Sequence, residues 1–144
     1  MRRAAIVIVC LGAAALARAD VKKPGSAKLE VNLRANPKSG SLPARITFTA
    51  ELKGGADTED LYCPTLEWEW DGGSTSTQEG ECAPFVAGTT KVERHFTITH
   101  EFHETGRHTI TVTIRVEPKV LGKATTEVTV LEPEGRSISI RDEP

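Results

Sequence analysis

The chain has 144 residues and a mass of 15.6 kDa, which is the size of one domain rather than two. Hydrophobic residues make up 38% of it, enough for one modest core and too many for a disordered tail. The formal net charge is −2, and no clustered stripe of Lys and Arg is present. This balance argues against a nucleic-acid-binding surface. We therefore expect one small folded domain that does not bind nucleic acid.

The first 19 residues have the three parts of a secretory signal peptide. Arg2 and Arg3 supply a positive start, an apolar stretch runs from 4 to 16, and Ala17 and Ala19 are the small residues of a cleavage site. The apolar stretch is shorter than the about 20 residues that a membrane-spanning helix needs. We predict cleavage after Ala19, a secreted or periplasmic product, and no membrane span in the mature chain.

Two cysteines remain in the mature chain, because Cys10 lies within the signal segment. In an oxidising compartment the pair Cys63 and Cys82 is typical of a disulfide, which at this loop length contributes about 3 kcal/mol on the chain-entropy model. The alternative is a metal or redox pair, but no further cysteine or nearby histidine completes a ligand set. The disulfide is therefore the favoured interpretation.

Six segments of the mature chain alternate between apolar and polar residues, which is the period of a half-buried β-strand. In each segment the apolar residues occupy every second position, which we call the apolar parity. In chain order these positions are Leu29, Val31, Leu33; Ile46, Phe48, Ala50, Leu52; Leu66, Trp68, Trp70; Val92, Phe96, Ile98, Phe102; Ile110, Val112, Ile114, Val116; and Thr126, Val128, Val130. Polar residues fill the other parity, so we expect antiparallel sheets with one solvated face. Turn residues separate the segments, and no helical period is sustained. These patterns predict an all-β fold, an antiparallel two-sheet β-sandwich of about seven strands.

The alternation also predicts the boundaries of the domain. We assign residues 20–27 to an N-terminal linker, 28–131 to the β-sandwich and 132–144 to a C-terminal tail. Within that tail, Ile138 and Ile140 alternate with polar residues. Residues 136–141 are therefore either an added edge strand or a frayed end, and the sequence leaves both open.

Two loops interrupt the alternation. The first, residues 53–64, is acidic. The second, residues 71–91, is longer than loops usually are in compact domains, and such a loop is usually functional or held in place by another part of the chain. The carboxylates of the first loop, together with one from the second, are candidate oxygen ligands for Ca²⁺, although their spacing matches no defined calcium loop. These candidates are Asp57, Glu59, Asp60 and Asp71.

Four short motifs follow one another along the predicted strands. They are Gly40 and Pro43 before Ile46, Phe48 and Ala50; Trp68 to Gly73; His100 to Phe102; and Gly106 to Ile114. Their order resembles that of the polycystic-kidney-disease (PKD) domain over roughly residues 28–131. The resemblance implies an immunoglobulin-like sandwich of an exported protein, with a binding or spacing role and no catalysis. Three positions depart from the family: the turn after Trp70 is one residue short, Phe102 lacks a tyrosine hydroxyl, and His108 replaces an aromatic residue.

Four histidines lie close together in the sequence, at His95, His100, His103 and His108. Imidazole is a common metal ligand, but parity places His100 and His108 on the apolar side of their strands and the other two on the opposite side. The resemblance implies that His100 packs and hydrogen-bonds within the sandwich. We therefore expect a packed histidine and solvent-facing ones rather than a metal site.

Glu67 and Glu69 project from one face of a strand, with about 6.5–7 Å between their Cα atoms. A carboxylate pair at such spacing can hydrolyse glycosides only in a cleft that raises the pKa of one carboxyl group. The solvated face of a small sandwich offers no such cleft, so an ordinary polar face is expected.

We expect an exported, non-catalytic binding module that contacts a protein or polysaccharide surface, without cofactor, metal or catalytic residue. The predicted contact faces are the loops 53–64 and 71–91 and the exposed sheet edges. Two alternatives stay open. One is a small secreted hydrolase that uses Glu67, Glu69 or a histidine, and the other is a calcium-dependent adhesion module.

Overall fold

The computed structural model describes residues 28–135, which form eight strands in two facing sheets. The strands are β1 (Glu30–Asn36), β2 (Ser39–Ser41), β3 (Ala44–Lys53), β4 (Thr65–Glu69), β5 (Thr75–Gln78), β6 (His95–Phe102), β7 (Gly106–Val116) and β8 (Lys119–Leu131). A 3₁₀ turn, Glu59–Leu61, lies between β3 and β4. The predicted signal peptide, the linker 20–27 and the segment 136–141 lie outside the described residues.

The sheets have three and five strands. The first has the order β1-β3-β6, and both of its pairings are antiparallel. The second has the order β2-β8-β7-β4-β5, in which β2 runs parallel to β8 and the other pairings are antiparallel. The prediction of a two-sheet β-sandwich is confirmed.

The structure differs from the predicted sandwich in two details. There are eight strands rather than about seven, because β2 and β5 are strands without apolar residues, and apolar alternation was the signal for the other six. The sheets are also not wholly antiparallel. The chain leaves the first sheet after β1, lies beside the end of β8 as β2, and returns to the first sheet as β3.

The core lies between the sheets and consists of the residues that share the apolar parity. On β3, Ile46, Phe48 and Ala50 are fully buried, and Trp68 on β4 is as well. Phe48 packs edge-on against Trp70, with 5.6 Å between the ring centroids. Burial of this apolar area, at about 25 cal/mol per Å², is the main stabilising contribution to the sandwich.

Candidate binding groove

A disulfide joins Cys63, just before β4, to Cys82 in the loop after β5, with 6.0 Å between the Cα atoms. The predicted bond is confirmed. Beside it the ring of Tyr62 packs against Phe85, and the Tyr62 hydroxyl donates a hydrogen bond to the Ala83 carbonyl at 2.7 Å. The two loops that the sequence singled out are therefore joined covalently and by packing.

The segment 71–91 is not a continuous loop as predicted, because it contains β5. Two side chains of β5, Ser76 and Gln78, point inward. They accept hydrogen bonds from the buried indole rings of Trp68, on β4, and Trp70, the residue that follows β4. The Trp70 Nε1–H donates to Ser76 Oγ at 2.9 Å, and the Trp68 Nε1–H donates to Gln78 Oε1 at 3.2 Å. A buried donor without an acceptor is costly, so these polar residues form a strand that completes the core.

A groove of about 470 Å³ opens between β6 and the β4–β5 hairpin, next to the disulfide. Sequence reasoning missed it, because its walls come from segments distant along the chain. Its apolar lining includes Tyr62, Leu66 and Phe96, and its charged or titratable lining residues are Glu79, Glu81, Lys91, Glu93 and His95.

The groove exists because the second sheet ends early. The inward-facing residues of β3 are fully buried, whereas Phe96, Ile98 and His100, which face inward on β6, are only partly buried. β5 has four residues, and no further strand in the second sheet lies beyond it among residues 28–135. The core is therefore open along β6.

The rim of the groove is acidic. Glu93 already accepts hydrogen bonds at 3.0 Å from the backbone N–H groups of Arg94 and His95. Glu79 and Glu81 are exposed, and within the described part of the chain neither forms an ion pair. Two carboxylates are therefore available to a ligand.

Asp57, a candidate calcium ligand, is engaged within the protein. Its Oδ1 accepts hydrogen bonds at 3.3 Å from the backbone N–H of Val92 and from Arg94, and its Oδ2 lies 3.4 Å from the Lys91 amine. The pKa of Asp57 lies below its ordinary value, chiefly because of the Val92 N–H and further because of the two cations, while burial acts in the opposite direction. The carboxylate therefore ties the acidic loop to the segment before β6.

The other candidate calcium ligands do not join Asp57. Glu59 and Asp60 lie on the exposed 3₁₀ turn, and Asp71 pairs with a histidine on β7. No group of three or more His, Cys, Asp or Glu side chains suited to a metal ion occurs within residues 28–135.

His108 is a packed side chain at one end of the sandwich, and it is 8% exposed. Its Nε2 lies 2.9 Å from the Glu104 carbonyl oxygen and its Nδ1 lies 3.3 Å from Asp71 Oδ2. The side chains of His95 and His103 are 64% and 72% exposed, as their parity predicted. His100, His103 and His108 line one cavity of about 300 Å³, whereas His95 lines the groove beside the disulfide, so the four histidines do not converge on one site.

His100 is stacked on Trp70, with 4.0 Å between the ring centroids, and meets Phe102 edge-on. The pKa of His100 is lowered, first by burial and then by the nearby charges of His103 and His108. His100 thus packs against aromatic rings as expected, whereas none of the side-chain hydrogen bonds among the described residues involves its imidazole, so the implied hydrogen bond is not seen there.

Glu67 and Glu69 point outward from β4, as predicted, and each lies beside a cation: Arg115 on the adjacent strand β7, and Lys123 on β8, one strand further. Arg115 Nη2 donates to Glu67 Oε2 at 2.8 Å, and the Lys123 amine lies 3.9 Å from Glu69 Oε2. The two carboxylates are thus parts of a polar, solvated sheet face.

Comparison with solved structures gives matches of low sequence identity. The crystal structure of the CARDB domain of the PF1109 protein from Pyrococcus furiosus, in complex with di-metal ions, is 12% identical, with a TM-score of 0.48 over 73% of this chain and 96% of that one. The solution structure of the same domain is 14% identical, with a TM-score of 0.47 over 72% and 94%. The DNA glycosylase AlkC from Pseudomonas fluorescens, bound to DNA containing an abasic site analog, is 18% identical, with a TM-score of 0.46 over 72% of this chain and 30% of that one.

Comparison of the sequence with curated proteins and with family models identifies the family of the chain. No curated protein is significantly similar to the chain. Within residues 28–135 there is also no helix of the length and apolar character needed to cross a membrane. The family model of the PKD domain, however, matches residues 30–130, which span every strand of the sandwich. This chain therefore belongs to the PKD domain family.

Proposed function

We propose that this chain is an exported, non-catalytic binding module that contacts a protein or polysaccharide surface through the joined loops 53–64 and 71–91. PKD domains are immunoglobulin-like modules that typically mediate extracellular interactions. The observation that carries the proposal is the disulfide-braced groove at the open side of the sandwich. A covalently tied loop pair on a rigid scaffold loses little conformational entropy on binding.

The position of the titratable residues supports a non-catalytic role over hydrolysis. Glu67 and Glu69 face solvent beside Arg115 and Lys123 rather than a cleft. His100 is held between aromatic rings. We expect no turnover on a panel of polysaccharides, and a Glu67→Gln/Glu69→Gln variant that binds as the wild type does. Hydrolysis that this variant loses would establish the hydrolase instead.

Calcium-dependent adhesion is disfavoured by the contacts of Asp57 with Arg94 and Lys91, which occupy its oxygens. A ligand specific to the folded state raises the melting temperature by mass action. We therefore expect the same melting temperature in millimolar Ca²⁺ and in chelator, and an increase in Ca²⁺ would support the adhesion module.

Export rests on the signal peptide, on the disulfide and on the family. A disulfide persists mainly outside the reducing cytoplasm. Mass measurement of the exported protein is expected to give a chain that begins at Asp20. A product that retains Met1, or one found only in the cytoplasm, would contradict export.

The contact face is tested by capture experiments with the mature protein on exported proteins and on a polysaccharide panel. Val86 is 54% exposed in the loop 71–91, and Val120 is 56% exposed in the β7–β8 hairpin. We expect Val86→Ser to weaken capture several-fold and Val120→Ser, the matched control, to leave it unchanged. Equal capture by both variants would exclude the loop face.

A further inference from the structure

Strand β6 lies at one edge of the first sheet. The Leu52 N–H donates to the Arg94 carbonyl, so the even-numbered residues that follow in β6 exchange backbone hydrogen bonds with β3. The backbone groups of the odd-numbered residues, such as Thr97 and Thr99, point away from β3. No described strand pairs with β6 on that side. The His95 N–H already donates to Glu93, whereas the backbone groups of Thr97 and Thr99 are free to pair with another strand.

The edge lacks the features that usually prevent strand addition. Edge strands are commonly short, bulged, or protected by Pro or Lys. β6 has eight residues, contains neither Pro nor Lys, and pairs with β3 without a register shift. β5, at the corresponding edge of the second sheet, has four residues. The exposed edge of β6 is thus the better template.

The groove lies beside this edge. Phe96 and Thr97 contribute to its lining, and Phe96 is one of the partly covered inward residues of β6. In a strand added to β6, alternate side chains would point toward the second sheet. An apolar side chain at such a position would enter the groove and cover Phe96 and Leu66.

The charge of the rim determines which strand fits. Glu79 and Glu81 line the groove without cationic partners among the described residues, and the Lys91 amine is directed to Asp57. Complementary charge gives specificity and faster association. A strand that carries Arg or Lys two positions from its apolar residue, and therefore on the same face, fits better than an acidic one.

From these observations we propose that the free edge of β6 binds an extended segment of a partner protein that carries an apolar and a basic residue two positions apart, so that both side chains point toward the second sheet. Its backbone pairs with Thr97 and Thr99, one apolar side chain enters the groove, and its basic side chains face Glu79 and Glu81. This inference rests on the proposed binding function and makes the partner a protein strand rather than a polysaccharide.

The direct test uses the full mature chain and a synthetic Val/Arg peptide of sequence Thr-Val-Thr-Arg-Thr-Val-Thr-Arg, in which Val and Arg share one face of the strand, with the Val/Glu peptide that has Glu in place of Arg as its control. Amide hydrogen exchange reports whether backbone groups become paired. We expect the amides of Thr97 and Thr99 to exchange rapidly in the free protein and to become protected by the Val/Arg peptide only. Absence of binding by that peptide up to about 1 mM would overturn the inference.

Backbone pairing is tested by proline, which removes an N–H. Thr97→Pro is tolerable because the Thr97 N–H faces away from β3, and proline is found on edge strands at such positions. Thr77→Pro, whose N–H faces away from β4 by the same alternation, is the matched control. We expect only Thr97→Pro to abolish peptide binding, and equal binding by both variants would place the peptide elsewhere.

Charge is tested without altering the strand. Glu79→Lys/Glu81→Lys is expected to weaken binding of the Val/Arg peptide about tenfold, since it replaces two attractive charges at the rim by two repulsive ones. Glu104→Lys/Glu127→Lys makes the same charge change away from the groove and is expected to have a much smaller effect. Equal effects would overturn the charge assignment.

Two further outcomes identify a different occupant. If the Thr97 amide is protected in the mature chain without peptide and becomes exposed after removal of residues 136–144, the chain's own segment occupies the edge. Protection that increases with protein concentration would indicate a second copy. Either result overturns the inference, whereas the proposed binding function fails separately, when the wild-type protein captures neither proteins nor polysaccharides.

Discussion

His100 links the packing of one side chain to the pH dependence of stability. Its imidazole lies against Trp70 and Phe102, and the lowered pKa means that the folded protein binds a proton at this site less readily than the unfolded chain. As the pH falls below the ordinary value of 6.5, the unfolded chain is protonated first. The free energy of unfolding therefore decreases, and this loss is complete once the pH is below the folded-state pKa.

We expect the substitution His100→Phe to remove this part of the pH dependence, because it keeps an aromatic ring and removes the titrating group. The measurement is urea unfolding between about pH 7.5 and about pH 5.5. His95→Phe, at an exposed histidine on the opposite face, is the control and should keep the wild-type slope. If the free energy of unfolding of His100→Phe depends on pH as that of the wild type does, His100 is not the source of this pH dependence.

Gly122 on β8 marks a close approach of the two sheets. A Cβ atom built on it lies 2.5 Å from Val31 Cγ2 on β1, so a larger residue must displace that side chain. We expect Gly122→Ala to lower the free energy of unfolding by about 1–3 kcal/mol, the usual cost of overpacking. Chemical denaturation measures it.

The double variant Gly122→Ala/Val31→Ala tests the cause of that loss. Removing the Val31 methyl groups makes room for the new Cβ, so the double variant should be less destabilised than the sum of the two single variants. Additive losses would mean that the steric contact is not the cause.

Among the secondary-structure elements, β5 shows that a strand without apolar residues contributes to the core through hydrogen bonds. Ser76 and Gln78 accept hydrogen bonds from the indole N–H groups of Trp70 and Trp68, whose side chains are buried in the core. Its sequence, Thr75 to Gln78, carries period-2 positions but no hydrophobic signal. Ser76 and Gln78 can be identified as hydrogen-bond acceptors only in the folded structure, where the indole N–H groups face them.

We expect Ser76→Ala to lower the free energy of unfolding by about 1–3 kcal/mol, because it leaves the Trp70 N–H without its acceptor. Ser74→Ala, in the exposed turn between β4 and β5, is the matched control and should change stability by less than about 0.5 kcal/mol. Equilibrium denaturation compares the two, and equal losses would show that the indole hydrogen bond is not responsible.

At the scale of the whole molecule, the disulfide restrains loops around a core that does not depend on it. Cys63 and Cys82 are 19 residues apart, and the two-sheet core forms from other residues. On the chain-entropy model, Cys63→Ser/Cys82→Ser should lower the free energy of unfolding by about 3 kcal/mol while the β-sheet content is retained.

Urea denaturation with and without reductant measures this effect. Reductant should destabilise the wild-type protein to a similar extent and leave the double variant unchanged. Two free thiols in the native wild-type protein would contradict the bond.

The sequence alone determined the class of fold, because the buried face of a strand must carry alternate apolar residues whatever its neighbours are. It also predicted the packed position of His100 and the disulfide, since parity and cysteine count are local properties of the chain. Only the tertiary structure decided the roles of β2 and β5, the contacts of Asp57 with Arg94, and the acidic groove. These features depend on which polar groups meet across the two sheets, and hydrogen bonds between distant residues leave no periodic trace in the sequence.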